Sequence, residues 1–181
     1  MKKEDIKLAY AVLSSNNYMG SVLITDYKGF PLEYRYSDPI TPTKIQQVLY
    51  GEGLEKYIKV DVILESLIKV LSSHADILLV QDEDLLVYRH ESFPIVRISQ
   101  TKSTPIGEAG VLSTIKQGEY LLQTAHSQNP LRLKFPEYFD CESEVFASII
   151  DTLKTVGEYI DVYEPLERVS KSIDLICNQE F

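Results

Sequence analysis

The stretch Met19-Gly20-Ser21-Val22-Leu23-Ile24-Thr25-Asp26-Tyr27-Lys28-Gly29-Phe30-Pro31-Leu32-Glu33-Tyr34-Arg35-Tyr36 decides the fold class. Its first eight residues are rich in Val, Leu and Ile and predict a strand over Met19 to Asp26. Asp26-Tyr27-Lys28-Gly29 then signals a turn, with Gly29 supplying the positive φ that a short hairpin loop needs. Beyond it Leu32, Tyr34 and Tyr36 alternate with Glu33, Arg35 and Ser37. That period of two predicts a half-buried strand over 30–37 with a charged outer face.

On the N-terminal side, residues 5–14 suggest a short helix, with Asp5 as N-cap and Ile6, Tyr10 and Leu13 on one face. On the C-terminal side, Thr41 can cap a helix with Pro42 at its first position, and Gly51 can end it after Ile45, Val48 and Leu49. Gly51-Glu52-Gly53 forms a corner. From Val60, the residues Ile63, Leu64, Leu67, Val70 and Leu71 recur at helical spacing through His74.

Ile77–Val80 and Leu85–Tyr88 are expected to be strands flanking Gln81-Asp82-Glu83-Asp84 as an acidic hairpin loop. Phe93–Ser99 reads as a further strand, and 102–110, with Pro105, Gly107 and Gly110, as a loop. Val111–Ile115, Tyr120–Thr124 and Leu131–Phe135 continue the meander. After Pro136 the period changes. Val145, Phe146, Ile149, Ile150, Leu153 and Val156 form one helical stripe, and Leu166, Val169, Ile173 and Ile176 form a second that Pro165 opens, with Asp161 or Glu164 near its positive end.

Clustered strands bracketed by helices predict an α+β fold, a mainly antiparallel sheet with flanking helices and a C-terminal helical pair. The organisation expected is a sheet domain over 1–135 and an acidic helical segment over 136–181, packed on that sheet or on a second subunit.

Charge follows the same division. The 181-residue chain has net charge −9, yet residues 136–181 hold 11 acids and only Lys154, Arg168 and Lys171 as bases. The preceding 135 residues carry 16 acids and 15 bases. Such a field repels phosphate backbones and anionic membranes, so nucleic acid is disfavoured as a partner and a membrane is not expected. Cys141 and Cys177 lack metal or redox spacing, and no secretory signal or long apolar run is present, which points to a soluble cytoplasmic protein.

Chemistry-bearing motifs are sparse. His74, His90 and His126 stand at no zinc-ligand spacing, and Asp82, Glu83 and Asp84 lack the glycine-containing calcium-loop pattern, so no metal is expected. There is no nucleophile elbow, and Cys141, which could meet His126 in space, reads as a structural thiol beside a helix start. Gly51-Glu52-Gly53 and Gly107-Glu108-Ala109-Gly110 each place an acid where a bound phosphate would sit. No cofactor is implied. Arg89, Arg97, Lys102, Arg132 and Lys134 are bases able to meet nucleic acid, but acids neighbour them.

The densest polar stretch runs from Leu32 to Gly51. Glu33 and Arg35 project from a strand, and Thr43, Lys44, Gln47 and Tyr50 follow on a capped helix. A strand edge meeting a helix start suits an anion or a partner's backbone, which makes these six the candidate ligand- or partner-binding residues.

Two resemblances accompany these readings. Gly20-Ser21-Val22-Leu23-Ile24-Thr25-Asp26 with Gly29-Phe30-Pro31-Leu32-Glu33-Tyr34-Arg35 resembles the opening hairpin of Roadblock-type domains, small α/β dimerisation platforms for protein partners. The later strands and acidic helices fall outside that pattern. Pro31–Tyr36, Pro42-Thr43-Lys44, Leu49-Tyr50-Gly51 and Leu54-Glu55, with Glu164-Pro165-Leu166-Glu167-Arg168, resemble an uncharacterised bacterial protein family, which brings no activity or ligand. The leading expectation is a non-enzymatic protein-binding or adaptor module that forms a homodimer. The rival is a small-ligand sensor or enzyme using the polar junction at residues 33–50.

Overall fold

A computed structural model describes residues 2–180. Eight strands form one sheet: β1 (Lys7–Ser14), β2 (Met19–Asp26), β3 (Pro31–Tyr36), β4 (Ile77–Val80), β5 (Ile95–Ser99), β6 (Leu112–Lys116), β7 (Glu119–Leu122) and β8 (Leu131–Lys134). Their spatial order is β3-β2-β1-β4-β5-β8-β7-β6. The pairs β1–β4 and β4–β5 are parallel, and the other five are antiparallel. The fold is α+β with a mostly antiparallel sheet, flanking helices and two helices at the C-terminal end, α4 (Glu144–Gly157) and α5 (Glu164–Cys177).

The opening hairpin stands as expected. Asp26 Oδ1 accepts from the backbone N–H of Lys28 and of Phe30, both at 2.9 Å, and Gly29 takes φ +78°. Its second strand differs in burial. β3 is an edge strand, so Leu32 and Tyr36 are exposed, while the Glu33 side chain turns inward.

Residues 7–14 are a strand, not a helix. Leu8, Tyr10 and Val12 join one core and Ala9 and Ala11 the other, so β1 is buried on both faces and reads as a near-continuous apolar run. Such a run also satisfies helical spacing by accident, and length does not arbitrate. Asp5 lies in a 3-10 turn, Lys3–Asp5.

Two further corrections concern the crossover. Both edges of β4 are taken, by β1 and by β5, so residues 81–84 are not a hairpin loop; Glu83–Val87 is a 3-10 helix, and Asp82 just before it accepts from the Asp84 N–H at 3.0 Å. Helix α1 (Lys44–Tyr50) is capped by Thr43 and not by Thr41, in a reciprocal box with Gln46.

From α2 (Leu54–Tyr57) the chain runs helically through a π-helical stretch, Ile58–Leu64, into α3 (Glu65–Lys69). This segment covers β1, β2 and β4 on one face. It comes so close that a Cβ on Gly20 would lie 2.6 Å from Ile63 Cγ2.

Helices α4 and α5 cover the opposite face through Ile149, Ile150, Leu153, Val156, Leu166, Val169 and Ile173. The expected stripe frays at its ends, since Val145 is exposed and Ile176 only half-buried. Among the described residues no helix is long and apolar enough to cross a membrane.

Candidate functional site

Strands β1 and β4 run parallel in the middle of the sheet, and a polar cluster gathers beyond their C-terminal ends. The π-helical stretch carries Lys59 there, with its side chain only 6% exposed. Its ammonium lies 2.6 Å from Glu55, 2.8 Å from Asp82 and 3.7 Å from Asp84. Ser15, just past β1, donates to the second side of the cluster at Glu55 Oε1, 2.8 Å away.

Burial alone would lower the Lys59 pKa, but the hydrogen bonds to Asp82 and Glu55 outweigh it and hold the ammonium well above the ordinary lysine value. The Glu55 carboxyl is held down, chiefly by its bond to Lys59. Among the described residues no group of three or more His, Cys, Asp or Glu is placed to hold a metal ion. The cation among these carboxylates is the protein's own.

The second feature adjoins the first. Among the described residues, none of β6, β7 or β8 enters the core on the Lys59 side of the sheet. The register sets Arg97 opposite Lys134, Lys134 opposite Glu119, and Glu119 opposite Lys116, one row across four strands. The neighbouring row brings Ser99, Arg132, Leu121 and Ser113 into line. Side chains in these rows share one face because strand residues alternate.

Three bases thus meet one buried acid. Glu119 accepts from Arg132 Nε at 3.1 Å and meets Lys116 at 3.0 Å and Lys134 at 3.8 Å. Its pKa is lowered, first by the Arg132 hydrogen bond, against the opposing effect of burial. Lys134 also pairs with Glu83, which sits between Asp82 and Asp84 and joins the two features. Arg97 Nε donates to the Gln81 carbonyl at 2.8 Å. Lys116 and Arg132 remain 65% and 43% exposed. Nearby, a groove of about 680 Å³ is lined by Lys56, Arg89 and Lys134 and by Glu83, Asp84 and Glu137, with the Arg89 guanidinium 4.0 Å from the Tyr138 ring centroid.

The six residues singled out from the sequence are placed differently. Glu33 accepts from the backbone N–H of Ser72 (3.0 Å) and Ser73 (2.7 Å), closing the end of α3, and from Arg35 Nε at 2.9 Å. Thr43 caps α1, where Lys44, Gln47 and Tyr50 are exposed; Gln47 donates to the Pro42 carbonyl at 3.3 Å, and Tyr50 stacks on Tyr57. The fold brings Glu33 to Arg35, and no hydrogen bond among the described residues joins that pair to the four on or beside α1. Sequence reasoning passed over Lys59, although Glu55 and Lys59 stand at the favourable i, i+4 spacing.

Glu33 yields a pH test. Burial would raise its pKa, but the two backbone donors and Arg35 bring it down to about 2, from an ordinary 4.5. A depressed carboxyl stabilises the fold above its unfolded pKa and loses that contribution as pH falls through the folded value. Glu33→Gln is therefore expected to cost on the order of 2 kcal/mol at pH 7. In urea melts the gap from wild type should narrow as pH falls from 4.5 toward 2; a constant gap would count against the capping role.

No family model matches the sequence, and neither does any curated protein. Solved structures do match the fold. Endonuclease V from Streptomyces avermitilis superposes with TM-score 0.58 at 9% identity, covering 97% of this chain and 82% of that one. Marinitoga piezophila Argonaute in complex with a 5′-OH guide RNA gives TM-score 0.52 at 13% identity, over 94% of this chain and 30% of that one. The same Argonaute with guide RNA and target DNA gives 0.50 at 13%, over 95% and 30%. This chain thus spans under a third of the Argonaute length. At such identities the likeness is one of fold.

Two expectations are corrected by it. The architecture is shared with an endonuclease and with a protein solved on RNA and DNA, which overturns both the reading as a non-enzymatic protein-binding adaptor and the exclusion of nucleic acid. The physical reason is the distribution of charge. Five of the acids of residues 136–181 ride on α4 and α5, on the face of the sheet opposite the row of bases.

Proposed function

We propose that the protein binds a nucleic-acid strand across the open face of β5, β8, β7 and β6. The observation that carries this reading is the set Arg97, Lys134, Arg132 and Lys116 on adjacent strands of one face, of which Lys116 and Arg132 stay exposed while Glu119 and Glu83 pair within the set. Cations spaced by adjacent strands track a phosphate backbone, and the Arg89–Tyr138 pair beside them offers a surface on which a base can stack. The shared architecture with endonuclease V and Argonaute supports the same reading.

The test is fluorescence anisotropy with labelled single-stranded DNA and RNA over a salt series. With three or four phosphates engaged, log K is expected to fall against log salt with a slope of about −2 to −3. Arg132→Gln with Lys116→Gln should weaken binding by roughly tenfold or more and flatten the slope by about 1.4. Lys171→Gln, on α5 and away from this face, should leave both unchanged. Absence of binding at low salt, or equal losses in the two variants, would sink the proposal.

A hydrolytic role is the second reading, favoured by the convergence of Glu55, Asp82 and Asp84 beyond β1 and β4. The same strands, run on denaturing gels, decide it. A shortened product that disappears in Asp82→Asn supports chemistry at the cluster, and intact strands throughout reject it.

A further inference from the structure

Helix α1 does not bury a single residue. Ile45, Val48 and Leu49, at i, i+3 and i+4, form one apolar face and are 71%, 81% and 76% exposed. At the end of this face Tyr50 stacks on Tyr57 at 4.5 Å, and both rings are exposed. A Cβ on Gly51 or Gly53 would meet nothing within 4 Å, so the chain around α1 stands clear of the body. An isolated helix of seven residues is marginal in water and draws its stability from packing of its apolar face. Thr43 and Gln46 nevertheless cap this one with a complete box. The helix is built, and its apolar side is left uncovered.

The charges flanking the stripe indicate what covers it. Lys44 precedes the stripe at the start of α1, and Glu52 follows it in the 3-10 turn Gly51–Gly53. Among the described residues neither forms an ion pair. One positive end, an apolar middle and one negative end form a pattern complementary to itself when reversed. A twofold axis through Val48 sets the two stripes face to face and brings Lys44 of each chain to Glu52 of the other, which is the isologous arrangement most homodimers use.

We propose that the occupant of this face is a second copy of the same chain, paired through antiparallel α1 helices. The contact is short, so the dimer is weak, with Kd on the order of 10 μM. It leaves the open half-sheet of β5, β8, β7 and β6 free in each copy, and it stands or falls independently of nucleic-acid binding.

Sedimentation equilibrium of the full chain tests it. At about 100 μM the wild type is expected near twice its chain mass of 20.7 kDa. Val48→Glu should be monomeric with an unchanged thermal melt, because the side chain is already in water. Lys44→Glu and Glu52→Lys should each weaken self-association by about tenfold, since each turns both cross-pairs repulsive. Mixing those two variants restores opposite charges at both cross-pairs, so a heterodimer of wild-type affinity should form. A monomeric wild type at that concentration overturns the proposal. A Val48→Glu dimer places the contact elsewhere and overturns it too, and so does a mixture that fails to associate.

Discussion

Replacing Lys59 with alanine is expected to destabilise the fold by about 3 kcal/mol at pH 7. The side chain is almost fully buried, and its ammonium is the one positive charge among Glu55, Asp82 and Asp84. Truncation leaves three carboxylates facing one another across the space it filled. Unpairing a buried ion typically costs 3–5 kcal/mol. The low end applies here because Glu55 and Asp84 are about half exposed and can turn to water.

The sign with pH is fixed by the shifts. A lysine whose folded pKa is raised contributes its full stability below the unfolded pKa, so the loss is complete at neutral pH. Glu55, whose pKa is depressed, gives up its share as pH falls. The Glu55 part of the penalty should therefore shrink as pH falls from the ordinary carboxylate value through its depressed one. Urea denaturation at pH 7 and below pH 4.5 measures both. A penalty under about 1 kcal/mol at pH 7, or one that grows in acid, would show that the cluster is a surface ion pair of little consequence. Lys59→Met, which keeps the stem's volume, separates lost charge from lost packing.

How far the sequence carried differs by region for physical reasons. The hairpin over residues 19–36 was legible because alternation and an Asp–Gly turn are local signals. β1 was not, because a strand buried on both faces loses its alternation, and only its neighbours β2 and β4 distinguish it from a helix. Leu85–Tyr88 misled similarly. Its apolar run is a 3-10 turn in a crossover, and the pairing of β4 with both β1 and β5, which leaves no edge for a hairpin there, is a tertiary fact. Glu33 looked solvated because charge usually marks an outer face; its carboxylate instead closes the N–H groups of Ser72 and Ser73, some 40 residues on.

The candidate interface was only half legible. Arg97, Arg132 and Lys134 stand out as bases in the sequence, yet what aligns them is the β5–β8 register, joining segments more than 30 residues apart. Net charge misled because it sums over two faces that a binding strand would never meet together. A chain at −9 can still align four bases on adjacent strands of one half-sheet.

That segregation depends on how firmly α4 and α5 are held, and Leu153→Ala measures it. Leu153 is fully buried on α4 in the cluster that also contains Tyr10, Leu79, Val96 and Leu133 from the sheet. Its truncation should cost about 2–5 kcal/mol, the range for a leucine whose cavity the surroundings cannot refill. Because helix and sheet residues share that one core, the loss should move a single cooperative transition, with circular dichroism and tyrosine fluorescence shifting together at an unchanged urea m-value. A helical signal that melts first, with the sheet's stability untouched, would mean that the acidic helices form a separate unit. The sheet's two faces would then cease to be fixed with respect to charge, and the argument for a positive open face would lose its frame. Coincident transitions would instead tie the acidic helices permanently to the far side of the sheet, where they keep solvent and not the phosphate backbone as their neighbour.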